Sequence, residues 1–360
     1  MKFFFSLILV LHGLIHLLGF LKAFQFTEMA PLQSAISKPM GVLWAIVTML
    51  FLLAAVMLFI SEYWFIPATA AVFMSSGLLI STWSDARYGM IPNLLILAVC
   101  GLAIASVAYK SVYRQDVKVA AASSRMDTSL LTEADIQHLP VPVQNYIRLS
   151  GSIGKPKVKH FKAEFDGKIR KDEQSEWMPF TCEQHNFMAV PSRLFFMDAR
   201  MKGLPVAGYH HYKNGTAVMD IRLLSLLRVQ YAEGNEMDVS ETVTFFNDMC
   251  CMAPATLIDS RIQWLETNGN QVMCSFTHNQ ITIHANLIFN EKHQLVNFIS
   301  NDRYAYSDKG PMARVPWQTP IKAYKPVNGY YLAASADMIY NYPEGDLNYG
   351  EFKLKEIKYN

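Results

Sequence analysis

The sequence predicts an α-helical membrane bundle of about four transmembrane helices, followed by an α+β soluble domain dominated by a curved antiparallel β-sheet with one packed helix. Three observations lead there. Charge is segregated: up to residue 110 the charged side chains are only Lys2, Lys22, Glu28, Lys38, Glu62, Asp85, Arg87 and Lys110. The same part carries four apolar stretches near the roughly 20 residues that a bilayer-crossing helix needs. Beyond about residue 158 the apolar period changes from helical to two, the mark of half-buried strands. The expected boundaries are 1–110 for the helices, 111–130 for a linker and 131–360 for the soluble domain.

The four expected spans run Phe3 to Leu21, Pro39 to Ile60, Tyr63 to Trp83 and Gly89 to Tyr109. Polar breaks part them at Lys22 to Lys38, Ser61-Glu62 and Ser84 to Arg87. Connections this short impose an up-down bundle. The first span has no small-x-small cleavage site before Lys22 and is read as retained. Lys2, Lys110, Arg114 and Lys118 against Lys22, Lys38 and Arg87 tilt both ends slightly to the cytoplasmic side. His12 and His16, four apart, share a helix face; the choice is between contacts among helices near Gly13 and a metal or proton site. Pro67 and Pro92 suit first turns.

Residues 111–129 are Ala/Ser-rich, a linker or the extended end of a helix. Thr132 opens a short helix with Asp135 in capping-box position, and a second runs from about Pro142 to Gly151. From Lys159 to Arg170, Phe161, Ala163, Phe165, Gly167 and Ile169 alternate with charged residues. Similar segments recur at about 176–188, 193–201, 206–212, 215–222, 226–232, 261–267, 271–278, 280–290, 293–303 and 351–359. Asn214-Gly215 and Asn268-Gly269 favour hairpins between them. One helix interrupts the strands, from about Val239 to Met252, opened by Asp238 or Ser240. Hairpin-joined strands make an antiparallel meander, whose concave face that helix or a ligand would fill.

A net charge of +2 without a Lys/Arg cluster excludes a nucleic-acid binder. Cys100, Cys182, Cys250, Cys251 and Cys274 match neither a zinc site nor a disulfide framework, so no metal and no cofactor is expected. Phosphate-loop, zinc-protease and serine-hydrolase signatures are absent. His210 and His211 point to opposite strand faces and His284 to solvent, so each is read as structural or surface. Two turns apart on one helix face, Glu241 and Asp248 would do acid–base work if held in a pocket, with Arg303 as a third candidate. Otherwise they form a wet face while Phe245, Met249 and Met252 pack on the sheet. Asn247, Asp302 and Trp317 are candidate ligand contacts at a pocket rim.

Several runs form a distinctive combination: Trp83-Ser84-Asp85-Ala86-Arg87, Leu139-Pro140-Val141-Pro142, Asn247-Asp248-Met249-Cys250, Asn301-Asp302-Arg303-Tyr304, Pro316-Trp317-Gln318-Thr319-Pro320 and Ile357-Lys358-Tyr359-Asn360. Through them the chain resembles a family of bacterial membrane proteins known only as a domain of unknown function. The resemblance implies a bacterial source and a two-part layout, and it supplies no activity or catalytic residues. In architecture alone the soluble part is similar to the half-barrel carriers of bacterial lipoproteins.

The leading expectation is a multi-pass protein of the bacterial inner membrane whose β-domain binds a lipid or other apolar ligand. The alternatives are a membrane-bound hydrolase acting on lipid or envelope substrates, and a scaffold whose helices bind a protein partner. For the scaffold, Ala71 with Ser75 and Gly101 with Ala105 have helix-packing spacing.

Overall fold

The computed structural model describes residues 2–26, 33–124, 128–306 and 310–360. Residues 27–32 of the first polar break and 125–127 of the expected linker lie outside them. The chain forms two compact units, Met1–Tyr109 and Lys110–Asn360.

The first unit is built from α1 (Lys2–Ala23), α2 (Lys38–Ile60), α3 (Phe65–Ser81), α4 (Trp83–Ala86) and the start of α5 (Met90–Ser123). Three helical stretches are long and apolar enough to cross a bilayer: Lys2–Ala23, Lys38–Ile60 and Trp83–Ser123. The expected third span is shorter than predicted, because α3 has only 17 residues. The Ser81 and Thr82 hydroxyls donate to the Leu78 carbonyl at 2.7 and 2.9 Å, and Thr82 leaves helical geometry. Pro39 stands in the first turn of α2 behind Ser37, whose hydroxyl accepts from the Met40 N–H. Glycine lets α1 and α2 approach closely: a Cβ on Gly19 would lie 2.3 Å from the Trp44 ring.

His12 and His16 join a neutral cluster in this unit. His12 Nε2 lies 2.8 Å from Asn93 Oδ1, and His16 Nε2 lies 2.7 Å from Ser75 Oγ. The Asn93 amide donates to Ser75 and Ser76 at 2.9 and 3.0 Å. Thr48 donates to the Gly13 carbonyl at 2.9 Å. This is interhelical hydrogen bonding, and no group of metal-ligating side chains occurs among the described residues.

Of the two readings of 111–129, the helix end describes the chain as far as Ser123, where α5 stops, since 111–123 contains neither Gly nor Pro and is rich in helix formers. Within the second unit its residues 110–123 lie on the outer face of the sheet. Tyr113 donates to Glu183 Oε1 at 2.9 Å and packs on Phe196 and Tyr209, and Asp116 accepts from Tyr209 at 2.7 Å. Next come α6 (Glu133–Ile136), opened by the Thr132/Asp135 capping box, and α7 (Val141–Leu149), ended by Gly151 at φ +70°.

The strands are β1 (His160–Ile169), β2 (Met178–Phe187), β3 (Ser192–Met201), β4 (Leu204–Lys213), β5 (Thr216–Leu223) and β6 (Leu227–Glu233). After α8 (Asn235–Met252) follow β7 (Ile262–Asn268), β8 (Gln271–His278), β9 (Ile281–Phe289) and β10 (Leu295–Ser300). The short β11 (Tyr304–Ala305), β12 (Ala313–Arg314) and β13 (Trp317–Gln318) precede β14 (Ile321–Val327), β15 (Tyr330–Tyr342) and β16 (Gly345–Tyr359). Sequence periodicity misses β14 and β15: Pro326 interrupts the first, and Ala, Ser and Asp dilute the alternation of the second. It also places the start of α8 too late. Gly234 caps that helix, while Asp238 instead accepts the Ala217 N–H at 2.6 Å.

Fourteen strands form one antiparallel sheet in the order β6-β5-β4-β3-β2-β1-β16-β15-β13-β10-β9-β8-β7, with β14 beside β15. α8 joins the two edge strands and touches β4, β5 and β6 as well as β9 and β10. A flat sheet at about 4.8 Å per strand would hold β5 and β9 some ~43 Å apart. A helix only about 10–12 Å across can touch both when the sheet curls round it. The second unit is therefore a half-barrel with α8 in its concave face.

Candidate ligand site inside the half-barrel

The register lays the inner face out in cross-strand rows. One row is Phe161, Asn186, Arg193, Tyr212 and Ala217; the next is Ala163, Gln184, Phe195, His210 and Met219. Beyond them lie Phe165, Cys182, Met197, Gly208 and Ile221, then Gly167, Phe180, Ala199, Val206 and Leu223. The helix bonds to the first two rows. Thr242 donates to the Tyr212 hydroxyl at 3.1 Å, Asp238 holds Ala217, and Tyr359, beside Phe161, donates to the Met252 carbonyl. Together with Tyr146, which donates to the Cys250 carbonyl at 2.9 Å, these contacts close one end. Glycine shapes the other end: a Cβ on Gly167 would lie 2.3 Å from Phe180, whose ring packs on Phe352 with centroids 4.9 Å apart.

Glu241, Thr244 and Asp248 recur at i, i+3 and i+7 of α8 and so form one stripe. The expected wet face is turned inward, against β2, β3 and β4. Arg193 Nε donates to Asp248 Oδ2 at 2.8 Å, Nη1 to Glu241 Oε2 at 3.1 Å and Nη2 to Gln184 Oε1 at 3.1 Å. Gln184 and Asn186 donate to the same Asp248 oxygen at 2.7 and 3.2 Å. From the opposite wall Arg303 approaches Glu241 at 3.9 Å, donates to the Ser240 carbonyl at 3.0 Å and to Thr244, and reaches the Tyr340 hydroxyl at 3.1 Å. Two guanidiniums thus face two carboxylates, and their paired charge is what allows all four inside a sheet.

The surroundings separate the two acids. Burial pushes the Asp248 carboxyl above its ordinary value, with Arg193 pulling it part of the way back. Burial acts on Glu241 as well, but Arg193 and Arg303 outweigh it and hold that carboxyl below its ordinary value. Burial takes His210 down to about 4, so its ring is neutral near pH 7, and it has no hydrogen bond among the described residues. The cluster is not sealed: Asp248 and Arg303 keep 15% and 13% of their side chains accessible, while their neighbours Asn247, Met249 and Ala305 are buried.

Of the residues singled out from sequence, Glu241, Asp248, Arg303 and Trp317 come together, with the Arg303 guanidinium 4.7 Å from the Trp317 ring and the indole donating to Tyr349 at 3.0 Å. Asn247 points the other way, donating to Thr319 at 3.2 Å. Asp302 faces outward, accepting the His284 N–H at 2.7 Å and pairing with Arg314 at 3.4 Å. Among the described residues the partners of Asp248 are Arg193, Gln184 and Asn186 rather than a histidine or Arg303, the contact that would have favoured a hydrolase. Sequence reasoning missed Arg193, Gln184 and Asn186. Their signal was present: Gln184 and Asn186 continue the inward phase of Phe180 and Cys182, so polar residues occupy core positions.

All five cysteines are free and buried. A groove of about 400 Å³ in the helical unit is lined by Val10, Leu52, Ala55, Val56 and Phe59 among others.

Comparison with curated proteins gives no match. Among solved structures, the chain is similar to a provisionally assigned outer membrane lipoprotein-sorting protein domain from Vibrio parahaemolyticus, at 11% identity and TM-score 0.34, over 56% of this chain and 85% of that one. A DUF1329 family protein from Desulfovibrio piger gives 11% identity and TM-score 0.35, over 61% and 92%. A β-barrel-like DUF1849 protein from Brucella abortus gives 9% identity and TM-score 0.23, over 57% and 99%. The family model that matches covers residues 129–352, the greater part of the half-barrel unit. The chain belongs to this family, a family of unknown function (DUF6544).

Proposed function

We propose that this chain is a multi-pass protein of a bacterial inner membrane whose half-barrel binds an amphiphile, its apolar part against the partly exposed side chains at the Gly167 end and its polar group at the ionic cluster. The membrane reading rests on the long apolar helices and on outward stripes such as Leu7, Leu11 and Ile15, which are exposed in the protein alone and suit acyl chains. One observation carries the ligand reading. Inward-facing apolar side chains at the open end, among them Ile221, Leu223, Met338 and Phe352, keep accessible surface above the Arg193–Glu241–Asp248–Arg303 floor. Apolar walls with a few convergent polar groups are the usual make-up of a small-molecule site.

The test is mass spectrometry of lipid extracts from the full chain purified in polymer nanodiscs, beside Ile221→Glu. Annular lipid is common to both preparations, so a stoichiometric amphiphile present in the parent and lost in the variant supports the reading. Identical extracts would overturn it. Asp248 favours a second, hydrolytic reading only through its raised proton affinity; an unchanged substrate screen for Asp248→Asn would remove that reading.

A further inference from the structure

We propose that the tips of two adjacent hairpins at the open end, Met201–Leu204 and Leu223–Leu227, dock on the headgroup layer of an anionic bilayer. The tips adjoin, since Val206 pairs with Leu223 and the Leu224 N–H donates to the Pro205 carbonyl at 2.8 Å. They are apolar where water would be the only neighbour: Leu204 is 48% exposed, Leu226 55% and Leu227 62%. Met201 and Val229 extend the same patch.

The turn chemistry is an independent sign. Tight turns with positive φ at both central residues favour Asn and Gly, and the chain obeys this at Asn214-Gly215 and Asn328-Gly329. Between β5 and β6 the same positions hold Leu224 and Ser225, at φ 56° and 58°. A leucine there is sterically disfavoured, and such outliers gather where a segment does something other than fold. The residue that suits the turn has been given up for one that suits an apolar surrounding.

Charge selects the occupant. Arg200, Lys202, Arg222 and Arg228 surround the tips; the carboxylates near them are Asp220, paired with Arg222 and Arg228 at 2.7 and 3.2 Å, and Asp198, paired with Lys110 at 3.4 Å. Apolar tips ringed by Lys and Arg are the composition of interfacial anchors on anionic lipid. The proposal rests on the reading of 90–109 as membrane-spanning, which keeps the chain at a lipid surface. Docking would bring the partly exposed Ile221 and Leu223 to the lipid from which an amphiphile comes.

The experiment uses the full chain in vesicles of phosphatidylcholine alone or of equal parts phosphatidylcholine and phosphatidylglycerol. An environment-sensitive dye is attached at Leu227→Cys, the native thiols being buried. Thr216→Cys, at the other end of β5, is the control, and Leu204→Cys is the second reporter should Leu227→Cys not fold. The expected result is a blue shift at the tip, with quenching by a shallow spin-labelled lipid, stronger with phosphatidylglycerol and absent at Thr216→Cys. Replacing Arg200 and Lys202 by Glu should lower the docked-to-undocked ratio at least about fivefold per cation.

A tip label as wet as the control in both vesicles overturns the proposal. So does a blue shift without lipid quenching that grows with protein density, which would assign the patch to a second copy. An alkaline wash separates the underlying reading: protein stripped from vesicles means that 90–109 does not span, whereas retained protein with a wet tip defeats docking alone.

Discussion

The two units bury polar side chains in opposite ways. In Met1–Tyr109 the cluster of His12, His16, Thr48, Ser75 and Asn93 holds no formal partner charge and is tied together by neutral hydrogen bonds from three helices and the start of a fourth. In Lys110–Asn360 the cluster is ionic, two arginines against two acids, with Gln184 and Asn186 taking up remaining valences. The difference follows from what surrounds each. Apolar helix faces offer nothing to stabilise an ion, so neutral donors and acceptors are tolerated there. The half-barrel cluster retains accessible surface at Asp248 and Arg303, and each charge has an opposite partner. Polar residues thus knit helices together in one unit and, in the other, latch a helix inside a sheet and furnish a polar floor.

Breaking the latch should have the largest effect. Arg193→Met leaves Glu241 and Asp248 facing an apolar group, at a cost of about 3–5 kcal/mol, read as a melting temperature lower by about 10 °C for the full chain in detergent. A shift no bigger than that of a neutral-cluster variant would erase the contrast between the units.

The acids come next, and they should differ. Glu241→Gln removes a carboxylate that its arginines keep ionised, at about 2–3 kcal/mol; Asp248→Asn should cost less, because burial already favours its protonated form. Their pH signs are opposite. Glu241's contribution is present above the ordinary carboxylate range and is lost as pH falls through its depressed folded value. Asp248, with a raised folded value, holds a proton that the unfolded chain has released, so its contribution grows as pH falls through that value. The loss of stability towards acid pH should therefore be shallower for Glu241→Gln and steeper for Asp248→Asn; parallel profiles would refute the assignment. The smallest effect belongs to the neutral cluster, where Asn93→Ala should cost about 1 kcal/mol, visible as a melting shift of a few degrees.

Much of the fold is legible in the order of residues. The charge-free segments of the first 110 residues can only be apolar helices, and the alternation from Lys159 onward can only be strands, because each periodicity matches one backbone geometry. The capping box at Thr132, the turn at Asn214-Gly215 and the opposite orientations of His210 and His211 are likewise local matters. Local reasoning errs where two signals compete. Hydropathy alone makes α3 a full span, yet the hydroxyls of Ser81 and Thr82 end it, and Pro326 hides β14 although it sits on a strand with only one neighbour in the sheet.

Composition and period therefore determined that this chain has an apolar helical part and a β-meander with one helix, since those properties are carried by neighbours a few residues apart. They did not determine which way the carboxylates of that helix face. Glu241 and Asp248 read as a wet stripe because their partner, Arg193, lies 48 and 55 residues away on another element. Only the curling of the sheet, which brings β3 and the Arg303 segment to opposite sides of one helix, turned the stripe inward and made a polar floor of it.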